Sequence, residues 1–373
     1  VKDVYLDNHS ATRLDDRVLN EMMPYFHDDY GNAQSMHNLG SRAKEALEKA
    51  RGQVAGLINA KPEECYFTSC GSEANNLAIK GIADKGKHIV VSSIEHFSVL
   101  YAARGLAQEG YEVTFLPVDK HGLVAPGAVR EAIRSDTVLV SVHHANPEIG
   151  TVEPIEEIGR ICHERDVLFH TDAIATCGIL PVEVKALNVD LLSITASQFH
   201  GPKGAAALYV RKGVRIIPQI DGGVQENGRR AGTENIAAIV GMGKACEIAQ
   251  SEMEVNRLKI TGLRDRLARE LPKHIDYVYL NGHPEKRLPG NVNFSVEFVE
   301  GEGLLLLLNE KGIYVSSASA CASKALKMSH VLTATNVDPA VGQGTILMTF
   351  SKYNTDSDVD YVLKEFPPVV KRL

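Results

Sequence analysis

The sequence predicts an α/β fold in which a large, mostly parallel sheet is followed by a small α+β domain. Three observations carry this expectation. Short β-branched runs alternate with helical patterns from about residue 40 to about 245, and such alternation builds a parallel sheet covered on both faces. A long helical stretch, 235–270, then reads as a connector. Beyond it, strands and helices mix without strict alternation. No repeat, low-complexity tract or long linker isolates a further unit. The expected large domain is 15–250. Residues 1–14 and 251–373 are expected to form the small domain with its N-terminal arm.

The elements follow in order. Residues 40–58 are rich in Ala, Glu, Lys and Arg with apolar residues at helical spacing. Residues 65–68 form a short strand, and the small-residue turn Ser69-Cys70-Gly71 leads into a helix over 72–82. Apolar runs at 88–93, 112–117, 137–143, 167–170, 191–195 and 205–210 read as buried strands. In the last third, 291–295 and 346–350 are strands, and 303–310 and 355–366 are helices.

Composition narrows the function. The 373 residues are 44% apolar and 23% charged, as in a soluble enzyme. Forty Lys and Arg against 47 Asp and Glu give a net charge of −7, which argues against nucleic acid or an anionic membrane as partner. The longest leucine run, 304–308, is far short of a membrane span. The opening V-K-D-V-Y-L-D-N-H-S has no apolar signal core, so a cytoplasmic protein is expected. Six cysteines show no C-x-x-C and no metal-finger spacing. In a reducing compartment most are expected to be buried small hydrophobes. Cys321 differs. It lies in S-S-A-S-A-C-A-S-K among residues too small for core packing, with Lys324 near enough to lower its pKa. An accessible thiol is the expectation there.

Several segments carry candidate chemistry. The turn before the helix at 72 offers backbone N–H groups and the Ser72 hydroxyl to a phosphate, with Gly71 allowing close approach. Taken alone, the turn is more often an ordinary N-cap. His96 follows a strand end, where it can stack on an aromatic cofactor or move a proton, or be merely structural. Asp172, in H-T-D-A, also follows a strand. It can pair with a protonated pyridinium nitrogen, or serve as an N-cap or core ion pair. Asn146, in H-A-N-P-E-I-G-T, can bind a ring hydroxyl or a substrate carboxylate. The glycine-rich basic loop 222–235 can carry the Thr233 hydroxyl to a phosphate, or be a mobile surface loop.

These motifs, from Y-L-D-N at 5–8 through F-T-S-C-G-S-E-A-N-N at 67–76 to S-K-Y-N-T-D at 351–356, resemble in order and spacing the NifS/IscS cysteine desulfurases. The resemblance spans nearly the whole chain. It implies a fold-type-I pyridoxal-phosphate (PLP) enzyme, built as a homodimer. His96 would stack on PLP, and Asp172 would meet its ring nitrogen. Gly71, Ser72, Thr195 and Ser197 would lie near the phosphate, and Thr233 would reach the phosphate of the neighbouring subunit. Cys321 would take sulfur from L-cysteine as a persulfide.

The departures from the family pattern cluster at cofactor and substrate contacts. T-A-S-Q-F-H-G-P-K-G at 195–204 resembles the family's S-x-H-K-F-H-G-P-K-G, with Ser197 at the histidine and Gln198 at the Schiff-base lysine. A carboxamide forms no imine. Lys203 belongs to a separate family position and is a poor replacement. Ala175 stands at the usual glutamine, Pro147 at the second asparagine of N-N-E-I-G, and Leu347 at the arginine that clamps the substrate carboxylate. Arg230 is the nearest motif residue able to compensate, and His96 is a candidate for part of the lysine's proton transfer. The expected activity is desulfuration of cysteine for iron–sulfur cluster assembly, with PLP bound non-covalently or absent. The persulfide would pass to a scaffold protein. The alternative is a catalytically silent partner, in which Cys321 accepts sulfide or ligates a [2Fe-2S] cluster shared with that scaffold.

Overall fold

The computed structural model of the chain describes residues 2–82, 87–317 and 328–373. Strand β1 (Val4–Tyr5) belongs to the N-terminal arm. Seven strands follow: β2 (Cys65–Thr68), β3 (His88–Ser92), β4 (Glu112–Leu116), β5 (Thr137–Ser141), β6 (Leu168–Asp172), β7 (Leu191–Thr195) and β8 (Ala206–Val210). They form one sheet in the order β2-β8-β7-β6-β5-β3-β4. The run from β7 to β4 is parallel, as expected. β8 is antiparallel to both neighbours. Residues 196–205 are too few for a helical crossover, so the chain can only turn back.

Both faces of the sheet are covered, and the side-chain period of two assigns its residues to separate cores. Val90 packs with Ala50 and Val54 of the helix Asn38–Leu57 and with Met242 of the helix Ile236–Glu270. Its neighbours Ile89 and Val91 pack on the other face, with Leu77 of the helix Gly71–Lys80 and Val99 of the helix Phe97–Gln108. Burial on both sides explains why these strands read as continuous apolar runs.

The helix Ile236–Glu270 joins two cores: Ile236–Ala249 packs under the large sheet, whereas Ile260, Leu263 and Leu267 enter a second cluster. That cluster lies on strands β9 (Val278–Leu280), β10 (Asn291–Val296), β11 (Ile313–Tyr314), β12 (Ser316–Ser317) and β13 (Thr345–Thr349). β12, β13, β10 and β9 pair antiparallel in that order, and β11 pairs in parallel with β1. Ile346 and Met348 face this core. By alternation Thr345, Leu347 and Thr349 face the other way, and the N-terminal arm meets that face: Asn8 Nδ2 donates to the Thr349 carbonyl (2.7 Å) and the Thr349 hydroxyl accepts from His9 N (2.8 Å). The last helix, Asp356–Arg372, runs through Pro367 and Pro368 beyond its expected end, because Phe366 and Val369 are buried in the second core.

Cys65, Cys162, Cys177 and Cys246 are buried free thiols, and Cys70 is exposed. Burial pushes the Cys65, Cys162 and Cys177 thiols up to about 12, so they are inert at neutral pH. Cys321, Lys324 and Ala318 lie outside the described residues. No described helix is long and apolar enough to cross a membrane.

His170 is fully buried on β6, its ring nitrogens bonded to Ser141 Oγ (2.8 Å) and Ser193 Oγ (3.0 Å). Burial lowers its imidazole from the ordinary 6.5 to about 4. The unfolded chain therefore binds a proton that the folded chain refuses between these values. The neutral imidazole's stabilisation is complete above pH 6.5 and is lost as the pH falls towards 4. In His170→Asn, the acid-side fall of the urea midpoint is expected to be shallower than in the wild type.

Candidate functional site

Because β3, β5, β6 and β7 are parallel, their carboxyl ends open into one crevice, where ligands bind in open α/β sheets. Asp172 is the last residue of β6 and is 6% exposed. Its Oδ1 accepts from Ile174 N (2.9 Å) and its Oδ2 from Asn75 Nδ2 (2.7 Å). Asn75 Nδ2 also donates to Ser98 Oγ (2.9 Å), which lies 2.7 Å from His96 Nδ1. One hydrogen-bonded chain thus runs from Asp172 through Asn75 and Ser98 to His96. Asn75 and Ser98 escaped the sequence reading: Asn75 was present in a quoted motif, but only the fold shows which strand end it meets.

Asp172 makes no ion pair with any described residue. A buried carboxylate without a cation is costly, so the donor set fits a ligand bringing its own positive charge, such as a protonated pyridine nitrogen. His96 caps the helix Phe97–Gln108 by accepting the Ser98 backbone N–H at Nδ1 (3.1 Å). In the neutral ring the proton therefore sits on Nε2, leaving that nitrogen a donor. His96 can stack or donate, but the sequence-based idea that it doubles as a base conflicts with its capping role.

At the start of the helix Gly71–Lys80, Cys70 supplies no side-chain cap, which leaves N–H groups for an anion. A Cβ at Gly71 would meet Ile174 Cδ1, the movable end of a half-buried side chain, which would have to turn aside. Ser72 is exposed and lines one groove with Asn76, His96 and Ser98. Asn146 is nearly consumed: Oδ1 accepts from Glu148 N and Ile149 N (both 2.9 Å), and Nδ2 donates to the Ile94 carbonyl (3.0 Å). One amide hydrogen is left for a ligand.

Thr195 ends β7, its hydroxyl 3.5 Å from Ser197 Oγ. The Ser197 carbonyl accepts from Thr12 N (3.1 Å) and Thr12 Oγ1 (2.9 Å). Gln198 Nε2 donates to the His9 carbonyl (2.8 Å). The N-terminal arm is thereby stitched to the segment 195–198. Gln198, His9, Ala175 and Pro147 line one cavity, which Lys352 and Arg257 also line. Lys352 is held by Asp15 (2.5 Å) and Glu252 (3.5 Å), and Lys203 is exposed.

Other expected residues are not gathered here. Arg230 Nε donates to Glu73 Oε1 (2.9 Å), so its charge is already used. Neither Arg230 nor Leu347 lines the Gln198 cavity. Leu347 is buried on β13 opposite Asn293 and Ser316. Thr233 is exposed on a loop that is anchored elsewhere, because Glu226 makes a buried ion pair with Arg51 (2.7 Å) and accepts from Phe67 N (2.8 Å).

Beneath the crevice lies a group the sequence reading missed. His143 stands between Glu95 (3.4 Å) and Glu153 (3.7 Å), all three buried. Burial lifts the Glu95 carboxyl to about 7. Burial opposes charge on His143, but the two facing carboxylates outweigh it and raise its pKa. Among the described residues no group of three or more His, Cys, Asp or Glu side chains is arranged to hold a metal ion.

The chain matches the family model Aminotransferase class-V over residues 4–362. It is 50% identical over 376 aligned residues to the cysteine desulfurase IscS of Methanosarcina thermophila, covering 100% of this chain and 93% of that protein. It is 48% identical to the cysteine desulfurase IscS of Dictyoglomus turgidum, covering 100% of this chain and 95% of the relative. Among solved structures, a NifS-like protein superposes with a TM-score of 0.94 at 38% identity, each chain covered completely.

Gly71→Ala is expected to destabilise the chain by about 0.5–1.5 kcal/mol, the usual cost of forcing a side chain such as Ile174 off its rotamer. In an Ile174→Ala background most of that cost should vanish, a coupling of at least about 0.5 kcal/mol in a urea-unfolding double-mutant cycle. Additive effects would show that Ile174 is not what excludes a side chain at position 71.

Proposed function

Since the chain belongs to the class-V aminotransferases, among the IscS/NifS cysteine desulfurases, we propose that it is a PLP-dependent cysteine desulfurase that holds PLP without a covalent bond. The observation that carries this reading is Asp172: buried, bonded at both oxygens, and without a cation. When bound, PLP supplies an electron sink for the pair left at the substrate carbon.

The chain's own residues do the rest. Asp172 holds the ring nitrogen protonated, and Asn75 and Ser98 fix Asp172 relative to His96. His96 covers the ring face with Nε2 as a donor. The helix start at Gly71–Ser72, with Thr195 and Ser197, receives the phosphate. Asn146 has one N–H for the ring hydroxyl. Gln198 offers no amine and is turned to the His9 carbonyl, so binding rests on charge, stacking and hydrogen bonds.

Cys321 is the nucleophile of this reading. Its thiolate attacks the sulfur of bound L-cysteine and the Cβ–S bond breaks. The stoichiometry is cysteine plus the Cys321 thiol giving alanine plus the Cys321 persulfide. The persulfide then serves iron–sulfur cluster assembly by transfer to a scaffold protein, and Cys321 is the residue of this reading that would ligate a nascent [2Fe-2S] cluster shared with it. A cytoplasmic homodimer belongs to the same reading, in which Thr233, exposed on its loop, serves the phosphate of the neighbouring subunit. The silent-partner alternative finds no support in relatives described as cysteine desulfurases.

Two outcomes are expected. Protein incubated with PLP and cysteine should release alanine and gain the mass of one sulfur atom on the peptide containing Cys321. Cys321→Ala should abolish that mass gain, and a wild type that releases no alanine above a buffer control would refute the enzymatic reading. Asp172→Asn should weaken PLP about ten- to a hundredfold, the worth of a charged hydrogen bond of about 1.5–3 kcal/mol. The same variant should raise the melting temperature of the PLP-free chain, because it removes an unpaired buried charge and Asn75 Oδ1, now without a partner, can turn to accept from the new amide.

A further inference from the structure

We propose that His9 is the acid–base residue of the site and takes the Cα proton of the bound amino acid in place of the amine that Gln198 lacks. The inference rests on the desulfurase reading above and deepens it.

Placement comes first. His9 lines the same cavity as Gln198, Ala175 and Pro147. Its backbone is fixed on both sides: His9 N donates to Thr349 Oγ1 (2.8 Å) and the His9 carbonyl accepts from Gln198 Nε2 (2.8 Å). The main chain of His9 therefore sits within one hydrogen bond of the end of the Gln198 side chain. Its imidazole is close enough to His96 for the two rings to oppose each other's protonation. His9 thus adjoins Gln198 through its main chain and lies near His96.

Chemical availability comes second. The His9 imidazole makes no hydrogen bond with any described residue, so neither nitrogen is committed to one of them. Burial and the neighbouring His96 lower it to about 4, which keeps it neutral and able to accept a proton at pH 7. The competing groups are occupied. His96 uses Nδ1 as a helix cap and presents a protonated Nε2. Lys352, the described lysine on this cavity, is held by Asp15 and Glu252. His200, also on the cavity, has Nδ1 bonded to the Arg13 carbonyl (2.9 Å).

The step balances without a further reactant. The Cα–H bond breaks, its proton forms an N–H bond on His9, and its electron pair stays on the substrate carbon, where the electron sink that bound PLP would supply stabilises it. The imidazolium later gives the proton back to carbon as alanine forms, and neutral His9 is restored. A positioned acid–base group of this kind contributes about 10²–10⁴-fold.

The test uses the full chain with PLP, and His9→Gln and His9→Ala variants. PLP affinity, read by equilibrium binding, is expected to be unchanged, since His9 is not among the residues assigned to the cofactor. A large loss of affinity would mean that His9 holds the cofactor and would overturn the acid–base role. Exchange of the Cα proton of L-alanine with deuterated solvent, which involves no sulfur, should fall about 10²–10⁴-fold in both variants. Added imidazole should restore part of it in His9→Ala only. The pH profile should lose its acid limb in His9→Gln, while limbs owed to the surrounding groups (His96, His200, Asp7, Asp15, Glu252, Arg257 and Lys352) persist. A His9→Gln variant that keeps wild-type exchange and pH profile refutes the inference alone. A wild type that neither exchanges the proton nor releases alanine refutes the desulfurase reading beneath it.

Discussion

An uncompensated carboxylate, buried where the parallel strands end, is the constraint to which the rest of the site answers. Asp172 accepts two hydrogen bonds and meets no cation. Hydrogen bonds alone leave such a charge poorly solvated. A ligand with a protonated ring nitrogen supplies what is missing, and the neighbouring groups are arranged around that demand. Asn75 and Ser98 transmit the position of Asp172 to His96. Ile174, whose N–H binds Asp172, also puts its side chain where a Cβ on residue 71 would lie. One turn of chain after β6 therefore fixes both the carboxylate and the open helix start.

The second feature is the part played by the N-terminal arm. In sequence it is a short preamble to the first helix. In the fold it ties the two cores together: β1 pairs with β11, Asn8 and His9 bond Thr349, and Thr12 and His9 bond the segment carrying Ser197 and Gln198. The carboxamide at position 198 thus has a structural part of its own. Its N–H holds the arm in place and brings His9 to the cavity.

Much of the architecture was legible because local period and burial agree. Strands buried on both faces give unbroken apolar runs, and all of the strands expected between residues 65 and 210 are present. The same runs put Asp172 at the end of β6 and His96 shortly after β3. What escaped depends on pairs far apart in sequence. The reversal of β8 follows from the short link at 196–205, which periodicity does not register. The grouping of Glu95, His143 and Glu153 joins two loops, after β3 and after β5, that are unremarkable alone. His9 reads as one polar residue in an arm until Gln198 and Thr349 close on it. The assignment of Arg230 to a substrate carboxylate overlooked Glu73, which lies 157 positions away and already takes its charge.

The central claim is that PLP is retained by charge and hydrogen bonding and not by a bond to the chain. The most direct measurement is borohydride reduction of the PLP-saturated protein, followed by intact-mass and peptide mass spectrometry. The account predicts an unmodified polypeptide, with the cofactor recovered in the filtrate after unfolding. A pyridoxyl group reduced onto any lysine, Lys203 and Lys352 included, contradicts it.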